Sequence, residues 1–197
     1  MINKMYLDPK TLEKIRPEFK PEKEFPSVVL FQFLETTEYA KIRKEILGLD
    51  YAQQWVLLSH SYSCAELSPG LKIFFKGNEF LNFLSQIVHR HVKSMELQAY
   101  AFGRKDYTIL TDQIVEEPGI DIIFDVTGEW DERAKGLIIY KDSKENFISL
   151  PIQGNMLAIV ERKKGVSRYV QYVNHYAQTK KRQVVMGRMR SSPQKSL

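Results

Sequence analysis

The sequence contains little cysteine and histidine and no long apolar run. Cys64 is the only cysteine, so no disulfide can form within the chain and a zinc site built from thiolates is excluded. No window approaches the roughly 18 uncharged apolar residues that cross a bilayer. The first ten residues, MINKMYLDPK, lack the apolar stretch of a secretory signal. We therefore expect a cytoplasmic protein without a membrane partner, in which Cys64 is a bystander thiol.

A linker between domains is also missing. Prolines and glycines are scattered, and no run of Pro, Gly or Ser interrupts the pattern before the last few residues. A hydrophobic content of 43% in 197 residues is enough for one packed core. We expect a single domain over residues 1–190, in which residues 1–93 support a barrel formed by residues 94–190. Residues 191–197 are expected to form a flexible basic tail.

The pattern of the first half predicts helices interrupted by strands. A short helix is expected over residues 9–20, ending near Pro17, and a strand from Phe25 to Leu34. Apolar residues at helical spacing after Thr36 predict an amphipathic helix of about three turns. The segment QQWVLLSHSYSC predicts one further strand, and Asn78 opens a helix with one apolar face.

After residue 94 the pattern changes to short strand-like segments, separated by turns such as EEPG, DSKEN and IQGN. Helices first and strands afterwards predict an α+β layout, with the helices packed outside one sheet of an antiparallel sandwich or barrel. The eight expected strands are Met95 to Phe102, Tyr107 to Thr111, Ile120 to Thr127, Leu137 to Tyr140, Phe147 to Leu150, Met156 to Glu161, Tyr169 to His175, and RQVVMGRM from Arg182.

Positive charge is concentrated at the C-terminal end. Residues 161–197 carry ten Lys and Arg against Glu161 alone, a balance of +9, while residues 1–160 have a balance of −4. Such an end predicts either an electrostatic contact with RNA or an acidic protein surface, or only a solvated tail. The contact candidates are Lys180, Lys181, Arg188 and Arg190.

The segment AFGRKDYTILTDQ resembles the metal-binding strand of the prolyl hydroxylases, oxygenases that depend on 2-oxoglutarate and iron. In that family a Gly-Asp-Tyr-type approach leads into His-x-Asp, and here Lys105-Asp106-Tyr107 leads into Leu110-Thr111-Asp112. Later segments follow the family's order. LPIQGNMLAIVER is similar to its Pro-x-x-Asn-x-Leu strand, and Arg182 to Gly187 resembles the Arg-x-Ser-Ile-x-Gly strand that pairs with 2-oxoglutarate. The resemblance implies a double-stranded β-helix, a jelly-roll or cupin-like fold.

The chain is most similar to one branch, the ribosomal prolyl hydroxylases, which carry two such domains and whose C-terminal domain is non-catalytic. The segments YLDPKTLEKIRPEF, FLETTEYAKIRKEI, DYTILTD, NMLAIVER and RYVQYVNH all resemble that second domain. The resemblance implies a protein-binding or regulatory module with a partner from the ribosome or the translation apparatus. RNA contact through the basic end is a further expectation.

The same resemblance implies that the iron site is degenerate. The reaction needs two imidazoles and one carboxylate on one face of Fe(II). Asp112 keeps the carboxylate position, but Leu110 and Gln171 stand where the histidines are expected. We therefore expect no catalytic residue, no bound metal and no cofactor. Arg182 is either a remnant of the 2-oxoglutarate site or part of a plain basic turn with Lys180 and Lys181.

Two alternatives remain open at the level of sequence. An active hydroxylase with displaced ligands would use Fe(II) and 2-oxoglutarate at Asp112, His175 and Arg182, and a small-anion binder would use Arg182 alone. The other histidines have simpler roles: His89 and His91 place positive charge at a helix end, and His60 is a hydrogen-bonded rim residue. The alternation of Asp121 and Asp125 with apolar residues predicts a solvated strand face.

Overall fold

The computed structural model describes residues 1–20, 22–57, 59–109 and 117–190. Its amino-terminal part begins with a 3-10 turn, Lys4–Leu7, and helix α1, Pro9–Ile15. The Asp8 side chain caps α1 by accepting from the Thr11 amide, and the helix tightens into a 3-10 turn, Arg16–Glu18, at Pro17. Strand β1, Ser27–Phe31, and helix α2, Thr36–Leu47, follow as predicted.

The next segment differs from the prediction. QQWVLLSHSYSC is not one strand but a hairpin of β2, Ala52–Val56, and β3, His60–Ala65. Helix α3, Pro69–Lys76, was not predicted; the Ser68 hydroxyl caps it by accepting from the Leu71 amide. Helix α4, Asn78–Val88, begins at the predicted residue.

Each of the eight segments expected in the second half overlaps a strand. The seventh strand is shifted: it runs from Ser167 to Val170 and shares only Tyr169 and Val170 with the predicted segment, and His175 instead begins a 3-10 turn, His175–Ala177. Another 3-10 turn covers Glu132–Ala134. The strands are β4, Glu96–Phe102; β5, Tyr107–Thr108; β6, Gly119–Asp125; β7, Ile138–Lys141; β8, Phe147–Leu150; β9, Met156–Arg162; β10, Ser167–Val170; and β11, Arg182–Arg190.

The strands form two antiparallel sheets. The main sheet has the order β1-β9-β6-β11-β4-β3-β2, and β5 also pairs with β3. The second sheet has the order β10-β7-β8. Backbone bonds join the two at one end, where the Lys105 amide donates to the Val173 carbonyl and the Val173 amide donates to the Asp106 carbonyl.

Successive side chains of a strand point to opposite faces of its sheet, and both faces of the main sheet are apolar. On β9, Ala158 and Val160 face a core between the two sheets, while Leu157 and Ile159 face the helices. The helix side is rich in aromatic contacts, for example Phe75 of α3 against Phe124 of β6 at 5.7 Å between ring centroids. The predicted α+β layout with helices on one sheet is confirmed. No helix in the part of the chain that the structure describes is long and apolar enough to span a membrane.

Candidate functional site

Arg182, the first residue of β11, lies fully buried at one end of the space between the sheets. Its Nε and Nη2 donate to Asp125 Oδ2 at 3.2 and 3.0 Å, and its Nη1 donates to the Gly136 carbonyl at 2.6 Å. All three guanidinium nitrogens therefore have partners inside the protein. The interpretation of Arg182 as part of a plain basic turn is wrong, because only Lys180 and Lys181 before it are exposed.

Asp125, the last residue of β6, is equally buried and is held on both sides. Its Oδ1 accepts from the Thr127 amide at 2.8 Å, while Oδ2 takes the two bonds from Arg182. Burial raises the pKa of Asp125, and the charge of Arg182 and the hydrogen bonds of Thr127 oppose that rise. Burial lowers the pKa of Arg182, and the Asp125 carboxylate opposes that fall. The two groups form one satisfied pair in the interior.

A second buried ionic cluster surrounds Asp121, four residues earlier on β6. Arg162 of β9 donates to Oδ1 at 3.2 Å, and Arg168 of β10 and the Tyr140 hydroxyl donate to Oδ2, each at 3.2 Å. Burial, assisted by the negative charge of Asp121, raises the pKa of Tyr140 well above its usual range. Asp121 is fully buried.

The prediction of a solvated face through Asp121 and Asp125 is therefore wrong. Asp121 lies two residues before Ile123 on β6 and Asp125 two residues after it, and Ile123 belongs to the core between the sheets. Arginines from β9, β10 and β11 supply the positive charge that keeps them in the interior. Sequence reasoning missed Arg162, Arg168 and Tyr140 as partners. Tyr140 ended a predicted strand, and the two arginines lay just outside the predicted strands that end at Glu161 and begin at Tyr169.

The approach to the expected metal-binding strand is well defined. Asp106 is buried, and its carboxylate accepts from the Ser61 hydroxyl at 2.6 Å and from the Gly103 amide at 2.8 Å. These bonds secure the turn that places Tyr107 at the start of β5. The two positions that follow in the motif, Leu110 and Asp112, lie outside the described residues, so their roles stay predictions.

Gln171, expected at the distal histidine position, follows β10 and lies beside β5. The main-chain amide of Gln171 donates to the Leu137 carbonyl. Its side-chain oxygen, Oε1, is buried and has no hydrogen-bond partner among the described residues. It lines a cleft of about 400 Å³ between β5 and β10, together with Tyr107, Thr108, Ile109, Tyr169, Val170 and Tyr172. An amide and three tyrosines, rather than imidazoles, thus occupy the described part of this region.

The histidines do not gather around this cleft. His175 is exposed in its 3-10 turn and contacts the Tyr176 ring at 4.3 Å. His60 Nδ1 lies 3.2 Å from the Ser59 hydroxyl and its ring stacks on Tyr62, as expected for a rim residue. His89 caps the end of α4 with a positive φ of 52°. Within the described ranges, no three His, Cys, Asp or Glu side chains are close enough to hold a metal ion.

The four partner-contact candidates do not form one surface. Lys180 and Lys181 precede β11, whereas Arg188 lies near its other end, about 20 Å away at 3.3 Å per strand residue. Lys180 lies 3.8 Å from Glu129, and Arg188 donates to the Glu117 carbonyl at 2.9 Å. The side chain of Arg190 and residues 191–197 lie outside the described part. Many of the basic residues after residue 160 therefore form ion pairs with acidic residues of the same chain.

The comparisons with known proteins agree with this architecture. Residues 50–195 match the family described as oxoglutarate and iron-dependent oxygenase degradation C-term. Among solved structures, a prolyl-4-hydroxylase from Pseudomonas putida has a TM-score of 0.68 and 9% identity, over 92% of this chain and 99% of that chain. An oxidoreductase of the 2OG-Fe(II) oxygenase family from Burkholderia pseudomallei has a TM-score of 0.68 and 8% identity, over 90% and 89%.

A third structure is a prolyl hydroxylase from Trichoplax adhaerens in complex with a hypoxia inducible factor oxygen degradation domain peptide fragment. It has a TM-score of 0.67 and 8% identity, over 91% of each chain. A search of curated proteins finds no sequence match. At such identities the structural likeness concerns the fold alone, and it confirms the predicted double-stranded β-helix. With three quarters of its length matched by the family, this chain belongs to the oxoglutarate and iron-dependent oxygenase degradation C-terminal family.

Proposed function

We propose that this chain is a non-catalytic module with the prolyl hydroxylase fold, which binds a protein partner and uses neither Fe(II) nor 2-oxoglutarate. The observation that carries the proposal is the buried pair of Arg182 and Asp125. By its resemblance to the family, Arg182 corresponds to the arginine that pairs with the carboxylate of 2-oxoglutarate. In this chain Arg182 pairs instead with Asp125, a carboxylate of the protein itself.

The energetic consequence of this pair supports a lost cosubstrate site. Releasing Arg182 to a ligand would leave Asp125 buried without its counter-charge, at a cost of about 3–5 kcal/mol. Because about 1.4 kcal/mol corresponds to a tenfold change in affinity, binding of 2-oxoglutarate is expected to weaken by about two orders of magnitude or more.

The donor set does not fit an iron centre either. Leu110 is a hydrocarbon at one histidine position, and Gln171 is a neutral amide at the other. Asp112 alone would supply a carboxylate. The facial arrangement that such iron sites need has two imidazoles in addition.

A protein partner is supported by the cleft between β5 and β10. It offers three tyrosine rings, whose faces can pack against a peptide and whose hydroxyls can exchange hydrogen bonds with it. The similar fold from Trichoplax adhaerens holds a peptide. By its resemblance to the ribosomal branch, the partner is proposed to belong to the translation apparatus, with Lys180, Lys181, Arg188 and Arg190 as candidate RNA contacts.

Calorimetric titration with Mn(II) and 2-oxoglutarate tests the absence of a cofactor site. We expect no saturable heat and, with Fe(II), no succinate release. Saturable binding together with turnover that disappears in Asp112→Ala would overturn the proposal in favour of an active hydroxylase. Stabilisation by diacids without metal would favour a small-anion binder.

Cosedimentation with purified small ribosomal subunits tests the partner. Tyr172→Ser in the cleft is expected to weaken the association, whereas Phe147→Ser, a matched change of an exposed aromatic residue outside the cleft lining, is expected to leave it intact. Charge reversal at Lys180 and Lys181 should lower the salt dependence if RNA takes part. Equal binding by wild type and Tyr172→Ser would exclude the cleft as the contact.

A further inference from the structure

The sheet edges of this fold are protected to different degrees. Exposed edge strands offer unpaired backbone groups to other chains, and proteins usually block them with charges, proline or a covering segment. At β1, Pro26 precedes the strand and the Ile2–Leu34 bridge follows it. At β8, Lys144 and Glu145 precede the strand and Pro151 follows it.

Strand β2, the last strand of the main sheet, has none of these protections in the part of the chain that the structure describes. Its sequence is Ala-Gln-Gln-Trp-Val, and all five residues are exposed. No Asp, Glu, Lys or Arg occurs from Tyr51 to Ala65, in a chain that is 27% charged. Three large apolar side chains protrude there: the relative exposures of Trp55, Val56 and Leu57 are 63%, 49% and 69%. Within the described residues β2 pairs only with β3.

The edge is complementary to itself. In an antiparallel pairing about a two-fold axis through Gln54, Gln54 of one copy lies opposite Gln54 of the other, Gln53 lies opposite Trp55, and Ala52 lies opposite Val56. Amide side chains can donate and accept at once, so the central pair can exchange hydrogen bonds. No charges of like sign meet in this register, which is the usual obstacle to pairing of two identical edges.

We propose that β2 is a dimer interface, at which two copies of this chain pair through their β2 strands in antiparallel fashion, with the two-fold axis at Gln54. The pairing joins the two main sheets and covers Trp55, Val56 and Leu57 in both copies. A closed, isologous contact of this kind satisfies both edges at once. Because a five-residue strand and three side chains make a small interface, association depends on concentration.

The side chains at this edge can be changed without disturbing the fold. Gln54 is exposed and its side chain makes no hydrogen bond among the described residues, unlike Gln53, which bonds to Ser61 and Ser63. In the proposed register, Gln54→Lys places two ammonium groups opposite each other, and Gln54→Glu places two carboxylates opposite each other. Each variant should therefore be monomeric, and their mixture should form a heterodimer.

Sedimentation velocity over roughly 1 µM to 1 mM, a range that spans weak to moderate affinity, tests the interface. We expect wild type to dimerise, each Gln54 variant to remain a folded monomer by circular dichroism, and an equimolar mixture to recover the dimer. Ile73→Lys, at an exposed position of α3, serves as the matched control and should dimerise like wild type. A monomeric wild type, or a dimer that persists in Gln54→Lys, would overturn the proposal. No partner or cofactor is present, so the result is independent of the function proposed above.

Discussion

Removing the Asp125 carboxylate is the most direct perturbation of the interior between the sheets. In Asp125→Ala the guanidinium of Arg182 keeps only its bond to the Gly136 carbonyl, and it remains fully buried. The Thr127 amide loses its acceptor as well. A buried positive charge without its counter-ion is among the few changes expected to destabilise a domain severely.

The magnitude follows from the contacts that are lost. Breaking a buried ion pair by removing one partner costs about 3–5 kcal/mol, mainly because the remaining charge is desolvated and unpaired. For a chain of this size, 1 kcal/mol shifts the unfolding midpoint by about 2–4 °C. Asp125→Ala is therefore expected to unfold roughly 6–20 °C below wild type.

Thermal and denaturant unfolding measure this loss, and a small carboxylate should partly reverse it. The substitution leaves a space of about the size of a carboxylate next to Arg182. Sodium formate should therefore stabilise Asp125→Ala more than wild type, at an ionic strength matched with sodium chloride, because a ligand that binds only the folded state raises its stability.

Two controls separate the buried charge from other effects. Glu66→Ala removes an exposed ion pair with Lys72 and should leave the midpoint unchanged. Asp125→Ala combined with Arg182→Met removes both charges and should be more stable than Asp125→Ala alone. If the double variant is instead as unstable as the sum of the two single changes, or if Asp125→Ala unfolds like wild type, the reasoning is refuted.

Two further changes test the packing and the titration of the interior. Gly154→Ala should lower the free energy of unfolding by about 1–3 kcal/mol, because a Cβ there would lie 2.4 Å from the Tyr39 hydroxyl and 2.6 Å from the Thr127 carbonyl. Gly48→Ala, whose Cβ would meet its nearest neighbour at 3.5 Å, is the control, and equal losses in denaturant unfolding would contradict the reasoning. The raised pKa of Tyr140 means that its unfolded form ionises first as pH rises above about 10, so folding stability is lost there. Between pH 9 and 11, Tyr140→Phe should lose about 1.4 kcal/mol less stability than wild type, and an equal loss would show that Tyr140 ionises freely in the fold.

The local sequence pattern was sufficient to predict a helix or strand wherever the residues of that element alone show its periodicity or its boundaries. The helix from Asn78 has a continuous apolar face, and turn residues separate several of the strand segments of the second half, so the helix and most of these strands were predicted close to their observed positions. The hairpin at residues 52–65 was missed because its turn contains no Gly, Pro or Asn, and an unbroken apolar run, Trp-Val-Leu-Leu, passes through it. Helix α3 was missed because it starts at Pro69-Gly70, a pair that usually marks a turn.

The site was predicted only in part, because pairing across strands carries no local signal. The order of motifs indicated the family and the fold. The same reasoning assigned Asp121 and Asp125 to solvent, since an acidic residue alternating with apolar ones is more often exposed. Their arginines come from β9, β10 and β11, which lie 41 to 57 residues away along the chain.

From the sequence by itself, periodicity predicted the α+β class and the succession of strands along the second half, and the resemblance to the prolyl hydroxylases implied the double-stranded β-helix. Only the tertiary structure decided which charged residues are buried and which partners they pair with. Whether Arg182 binds a ligand or an internal carboxylate depends on which strand lies beside β11, and β6 places Asp125 there. A buried charge needs a partner within hydrogen-bond distance, and the fold alone brings distant residues that close.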